Sequence, residues 1–222
     1  AIIISIGILS DPNLIIYYLE FNSLKSTISL GNLNFLFTLF CILLFINAFN
    51  MMDGINALVG LYSILFLFII FIIKVMDPLT GLLLIPLLFF LFMNINNKIF
   101  LGDNGSLLLA YLISVITIFS YNASNEFYVE EIFLLMLLPG LEIIRLSITR
   151  LIKGYHPFSA DRNHFHHLLL NKYSSMNAVI IIIAIILIPI LFYYLIKLQI
   201  ILSIILGIII YTFTIIRLKK NI

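Results

Sequence analysis

The chain has 222 residues, 63% of them hydrophobic and 10% charged, with a formal net charge of +2 and a mean hydropathy of +1.22. Soluble domains carry about 45–50% apolar and about 25% charged residues, so a water-soluble globule is excluded and a bilayer-embedded protein is predicted. The single cysteine, Cys41, excludes a disulfide framework within the chain, and a charge of +2 with its basic residues at predicted membrane edges gives no basis for a nucleic-acid partner.

A hydrocarbon core of about 30 Å requires about 20 apolar residues as a helix. Ala1–Leu9 is a partial span; Ala1 opens straight into apolar residues with no Met, charged n-region or cleavage site, which we read as a missing N-terminus rather than a signal peptide. Full spans are predicted at Leu33–Phe49, Ala57–Val75, Leu79–Met93, Ser106–Ser120, Ile132–Ile152, Met176–Ile196 and Leu198–Leu218. The third is short and carries Pro86, which bilayer helices tolerate. Trp is absent, and 20 Phe and 11 Tyr supply the interfacial aromatics. With short connections, one longer loop at Lys153–Ser175 and no internal repeat, the expected fold is an all-α polytopic transmembrane bundle. It has about seven spans plus the partial one, in one domain over residues 1–222.

Loop charge orients the spans. Arg150, Lys153, Arg162 and Lys172 lie in the long loop, and Arg217, Lys219 and Lys220 in the tail, whereas Tyr121–Glu131 holds Glu126, Glu130 and Glu131 and no basic residue. With the basic loop in the cytoplasm, counting crossings puts the tail inside and the acidic loop outside. The same count brings Asn47–Asn56 and Asn94–Gly105 to the inner face. The polar, motif-like segments thus share one side, as an active site at the membrane surface requires.

Three segments carry chemistry. In Asn47-Ala-Phe-Asn50-Met-Met-Asp53-Gly54-Ile-Asn56, spacings of three would line the amides and the carboxylate along one helical face. The same residues also suit a capped helix junction with a turn at Asp53-Gly54. Phe100-Leu-Gly102-Asp103-Asn104-Gly105-Ser106 opens an apolar run. Its glycines would let backbone amides approach an anion, and Asp103 could hold Mg²⁺ together with phosphate oxygens, while a plain N-cap is the simpler alternative. His156-Pro-Phe-Ser159-Ala-Asp161-Arg162-Asn163-His164-Phe-His166-His167 contains all four histidines. Without a neighbouring Cys or a His-x₃-His pair, zinc is disfavoured. Arg and His donors suit a diphosphate, and a solvated loop is the other reading. Glu142, with Arg145 one turn later, lies inside an apolar stretch; such a residue is a functional candidate or an internal ion pair.

Taken in order, the three segments resemble those of the polyprenyl-phosphate N-acetylhexosamine-1-phosphate transferases, glycosyltransferase family 4, from about Leu33 to the C-terminus. The resemblance implies a Mg²⁺-dependent enzyme, with Mn²⁺ as a substitute metal. It would pass an N-acetylhexosamine 1-phosphate from a UDP-sugar to undecaprenyl phosphate in a bacterial inner membrane and release UMP. Its implied partners are the UDP-sugar, the polyprenyl phosphate and the bilayer, and a homodimer is compatible with it. By this resemblance Asp103 is a Mg²⁺ ligand, and Asp53 organises metal or nucleotide. His164, His166 and His167 act near the diphosphate. Asn47, Asn50, Asn56, Asn94, Asp161, Arg162 and Glu142 are implied in substrate binding. The Asp-Arg-x-His-x-His-His form is similar to the GlcNAc-1-phosphate members, which feed O-antigen, lipopolysaccharide or teichoic-type polymers, rather than to the phospho-MurNAc-pentapeptide ones.

The chain departs from the family pattern in two places. Asn56 stands where the family has a second aspartate and Ala57 where it has Gly; an amide keeps an acceptor oxygen and loses the charge. Gly7-Ile-Leu-Ser10-Asp11 looks like a relic of an upstream Asp-Asp stretch with Ser10 replacing the first aspartate, yet the crossing count places Asp11 outside. A non-catalytic relative and a transporter built around Glu142 and its Pro-interrupted spans stand as alternatives; the gathering of polar residues on one face disfavours the transporter.

Overall fold

In lipid a backbone can satisfy its polar groups within one segment only as a helix, and the apolar runs of this chain adopt that form. The computed structural model describes residues 2–73, 78–123, 127–156 and 163–220. The helices are α1 (Ile2–Ser10), α2 (Asn34–Met52), α3 (Leu58–Ile73), α4 (Pro78–Ile95), α5 (Gly102–Ala123), α6 (Val129–Leu135), α7 (Leu137–Ile152), α8 (Phe165–Leu170), α9 (Ser175–Tyr194) and α10 (Ile200–Lys219). A small antiparallel hairpin, β1 (Tyr18–Phe21) with β2 (Ser26–Ser29), pairs Tyr18 with Ser29 and Phe21 with Ser26. The all-α transmembrane architecture is as expected.

Polar contacts at the helix ends define two ends of the bundle. At the first, Asn122 of α5 donates to the carbonyls of Asn13 and Ile15 at 2.6 and 2.9 Å. The Tyr121 hydroxyl donates to Tyr18 O, and Glu130 accepts from the hairpin amides of Asn22 and Ser23 and from the Ser23 hydroxyl. Tyr193 and Tyr194 of α9 donate to Glu131 at this end too. The described parts of the motif segments occupy the other end, where Asn50 meets Ser106 and His166 meets Gly54. Among the described residues the chain runs between the two ends in seven legs: α2, α3, α4, α5, the α6–α7 pair, α9 and α10. Four of these helices are long and apolar enough to cross a membrane: the segment Gly31–Met52 containing α2, α5, α9 and α10. The described apolar stretches of α3 and α4 are shorter.

The leg expected as one span at Ile132–Ile152 is broken, with α7 bent 70° from α6. Pro139 explains the break: it has no N–H to offer the carbonyl four residues back, that of Leu135. The hydroxyl of Tyr62, a fully buried residue of α3, fills the gap by donating to Leu135 O at 2.9 Å.

Lipid tails are as apolar as leucine, so the helices associate through close packing and interhelical hydrogen bonds rather than through expulsion of water. α3 and α4 run antiparallel, Gly60 against Phe90 and Leu91 and Gly81 against Phe71. Phe45, Phe49, Tyr62 and Phe66 form a chain of ring contacts with centroids 5.4–5.9 Å apart, joining α2 to α3. α10 comes so close to α7 that a Cβ at Gly207 would collide with Leu137 and lie 3.3 Å from Pro189 of α9.

Asp11 belongs to the hairpin end. Its carboxylate caps the turn Pro12–Leu14 by accepting from Asn13 N at 2.9 Å. Asn13 in turn meets Asn122, which lies 19 residues, or about 29 Å, along α5 from Asp103. Asp11 is therefore a turn-capping residue remote from the described motif residues.

Candidate active site

The first motif does not form the single helical face that its spacing suggested. α2 ends at Met52, and Asp53 is its C-cap at φ −76°, ψ 56°. Ala57 has φ 72°, which ends the turn and admits α3. Asn47, still on α2, is exposed and donates to Leu43 O of its own helix. Asn50 points into the bundle, where its Oδ1 accepts from the buried Ser106 hydroxyl at 2.5 Å. That bond joins the end of α2 to the first turn of α5. It brings Asp103, exposed in the same turn, toward Asp53.

Asn94, in the last turn of α4, and Asn97, just beyond that helix, hold the turn after Asp53. Asn94 is buried; its Oδ1 accepts from Ala57 N at 2.6 Å and its Nδ2 donates to Ile99 O at 2.8 Å. Asn56 donates to Asn97 Oδ1 at 2.7 Å. Asn97 has φ 57°, in the left-handed region that asparagine tolerates. Asn94, a candidate substrate ligand by resemblance, thus spends an acceptor and a donor on backbone partners.

The histidine segment closes the site. α8 begins at Phe165, and its Phe165, His166, Leu168 and Leu169 are buried. The His166 ring lies directly over Gly54, where any Cβ would overlap it. His166 and His167 have ring centroids 4.2 Å apart, and His164 stacks on His166 at 5.4 Å. His156 is exposed. Asp161 and Arg162 lie outside the described residues.

The electrostatics follow from this packing. Burial, and then the Asp103 charge, hold the Asp53 carboxyl above the usual carboxylate range. Burial, and then His167 and His164, push the His166 imidazole down to about 3, so that it is neutral at pH 7. Among the described residues neither aspartate has an ion pair, and no group of three or more His, Cys, Asp or Glu is placed to hold a metal. Two carboxylates close enough for Asp103 to raise the pKa of Asp53 suit the coordination habit of Mg²⁺, which takes one or two protein carboxylates and completes its shell with water and phosphate oxygens.

Glu142 is saturated by protein donors. Oε1 accepts from Arg145 Nη2 at 2.6 Å and Phe165 N at 2.7 Å; Oε2 accepts from Arg145 Nε at 2.9 Å and the Tyr211 hydroxyl at 2.5 Å. Sequence reasoning passed over Tyr211, Asn97 and the bond between Asn50 and Ser106. The signal for Tyr211 was present: a hydroxyl in the middle of an apolar span needs a partner there.

Comparison with known proteins bears on this arrangement. Residues 1–121 match the family described as glycosyl transferase family 4. The undecaprenyl-phosphate alpha-N-acetylglucosaminyl 1-phosphate transferase of Escherichia coli strain K12 is 29% identical over 166 residues, which cover 69% of this chain and 45% of the relative. Its Yersinia pestis namesake is 28% identical over 167 residues, covering 69% and 46%. The probable undecaprenyl-phosphate N-acetylglucosaminyl 1-phosphate transferase of Bacillus subtilis strain 168 is 31% identical over 132 residues, covering 56% and 37%. The matches thus span less than half the length of these relatives.

Proposed function

Because the chain belongs to glycosyl transferase family 4, we propose that it transfers N-acetylglucosamine 1-phosphate from UDP-N-acetylglucosamine to undecaprenyl phosphate at the cytoplasmic face of a bacterial plasma membrane. The names of its relatives support the sugar and the acceptor. The observation that carries the reading is the meeting of Asp53, Asp103 and His166, from the end of α2, the start of α5 and α8, at one end of the bundle.

A phosphate oxygen of the lipid attacks the β-phosphorus of the donor, the bond to the bridging oxygen breaks, and UMP leaves with that oxygen. Both reactants are anions, so charge repulsion and alignment form most of the barrier. Mg²⁺, or Mn²⁺ in its place, would be held by Asp103 and Asp53 and would neutralise diphosphate charge. The N-terminus of α5 adds backbone N–H groups that favour an anion. His166, neutral and fixed over Gly54, offers a ring N–H without the cost of a buried cation, and His164 and His167 stand beside it. Asn50 and Asn94 hold the two aspartate loops in register through their bonds to Ser106 and Ala57.

The test is exchange of labelled UMP into UDP-N-acetylglucosamine by membranes carrying the chain, with undecaprenyl phosphate and Mg²⁺. Exchange is expected to require all three components. Asp103→Ala should reduce it by at least about 10²-fold, the scale for losing one electrostatic anchor of a transferring phosphoryl group. Asn56→Asp should leave it standing. Undiminished exchange in Asp103→Ala, or exchange indifferent to chelation of Mg²⁺, would overturn the reading.

A further inference from the structure

α10 makes two sets of hydrogen bonds that its role as a membrane span does not require. Seven residues before Leu218, Tyr211 donates its hydroxyl to Glu142 Oε2 at 2.5 Å and sets its ring edge-on to Phe165, centroids 5.4 Å apart. Glu142 takes the Phe165 amide on its other oxygen at 2.7 Å, and Arg145, paired with Glu142 at 2.6 Å, donates to Asn163 O at 2.6 Å. Asn163 and Phe165, which flank His164, are thereby tied to α7 and α10 together. Beyond α8, Lys172 is tied as well: its Nζ donates to Leu218 O at 3.0 Å and Arg217 O at 3.3 Å, carbonyls of the last turn of α10. His164, His166 and His167 lie between the two attachments.

We propose that α10 braces the histidine segment, with Tyr211 acting through Glu142 at one end and Lys172 at the other. Glu142, Arg145 and Tyr211 are then positioning residues that press His166 against Gly54. A carboxylate has about four lone-pair sites, and the four hydrogen bonds to Glu142 fill them. No site is left for a metal ion or a substrate hydroxyl, so Glu142 acts through the segment it holds. Its charge is buried but matched by Arg145, which favours keeping both over exposing either. Tyr211 selects the rotamer of Glu142 from a different helix, so α10 cannot shift along its axis without moving Phe165. The inference rests on the transferase reading for its chemistry and stands on the geometry alone for its mechanics.

The experiment compares the whole chain with Tyr211→Phe, Glu142→Gln, the double variant and Lys172→Met, using UMP exchange kinetics and amide hydrogen exchange in detergent. Tyr211→Phe keeps the ring on Phe165 and removes only the hydroxyl, and Glu142→Gln keeps an acceptor for the Phe165 amide, so both retain the packing. Each should lower kcat by about ten- to a hundred-fold, the scale of a 1 Å misplacement, with KM for the UDP-sugar within about two-fold. The double variant should be little worse than the poorer single one, because both act through one network. Amide exchange should quicken at residues 163–172 in all four variants and stay unchanged in the hairpin at 18–29. A raised KM in Glu142→Gln with normal Tyr211→Phe would make Glu142 a substrate ligand and overturn the brace. Unchanged exchange at 163–172, or faster exchange everywhere, would overturn it too. If the unaltered chain exchanges no UMP, the transferase reading fails, and the amide data still decide the brace.

Discussion

Adding one methyl group at Gly54 tests how tightly the site is assembled. A Cβ there would stand 2.6 Å from His166 Cε1, 2.7 Å from Cδ2 and closer still to Nε2, whereas carbon atoms rest about 3.5–4.0 Å apart. The ring has to withdraw by about 1 Å. It has little room to do so, being buried with His167 on one side and His164 stacked on another. Gly54 does not have a positive φ, so Gly54→Ala adds no backbone strain and isolates the steric effect. Overpacking of this kind costs about 1–3 kcal/mol of stability, while a 1 Å displacement of a reacting group costs about 10²-fold in rate. A hundred-fold in rate is about 2.7 kcal/mol, so the catalytic loss should be at least comparable with the loss of stability. Thermal unfolding in detergent and UMP exchange on the same preparations measure the two. The decisive comparison is Gly54→Ala in a His166→Ala background, where the clash is absent and the added methyl should cost no further stability. Additive costs in the double variant, or a fully active Gly54→Ala enzyme, would refute the reasoning.

Three further outcomes follow from single residues. Asn94→Ala removes the partners of Ala57 N and Ile99 O, and should lower stability by about 1–3 kcal/mol for each group left unsatisfied, as read by thermal unfolding. Gly207→Ala should destabilise by about 1–3 kcal/mol and spread α10 from Leu137 and Pro189, visible as faster amide exchange in α10. The His166 pKa is about 3 in the fold against 6.5 for the free group, so between those values the unfolded chain binds a proton that the folded chain refuses. Stability from this group is complete above pH 6.5 and is lost as pH falls through that window. His166→Phe should flatten the thermal unfolding profile between pH 4 and 6.5; an unchanged slope would show that His166 is not buried neutral.

The sequence by itself determined the class of protein, the approximate position of each leg and the side on which each motif falls. A run of about 20 apolar residues has one stable form in lipid, and once legs are counted, parity alone sends Asn47–Asn56, Asn94–Gly105 and the histidine segment to one end. Parity also placed Asp11 away from them, as its bond network at the hairpin end shows. What it could not assign is which face of each helix is buried. On α2, Leu36, Phe40 and Leu44 are exposed while Ile42, Phe45 and Phe49 are buried, and side chains so alike in hydrophobicity leave no pattern to read. Only the tertiary structure decided that Asn50 meets Ser106, that Asn94 and Glu142 spend their polar atoms on internal partners, and that His166 rests on Gly54. Topology is one-dimensional and survives in the order of residues; hydrogen bonds between helices depend on rotation and depth, which are settled when the legs pack together.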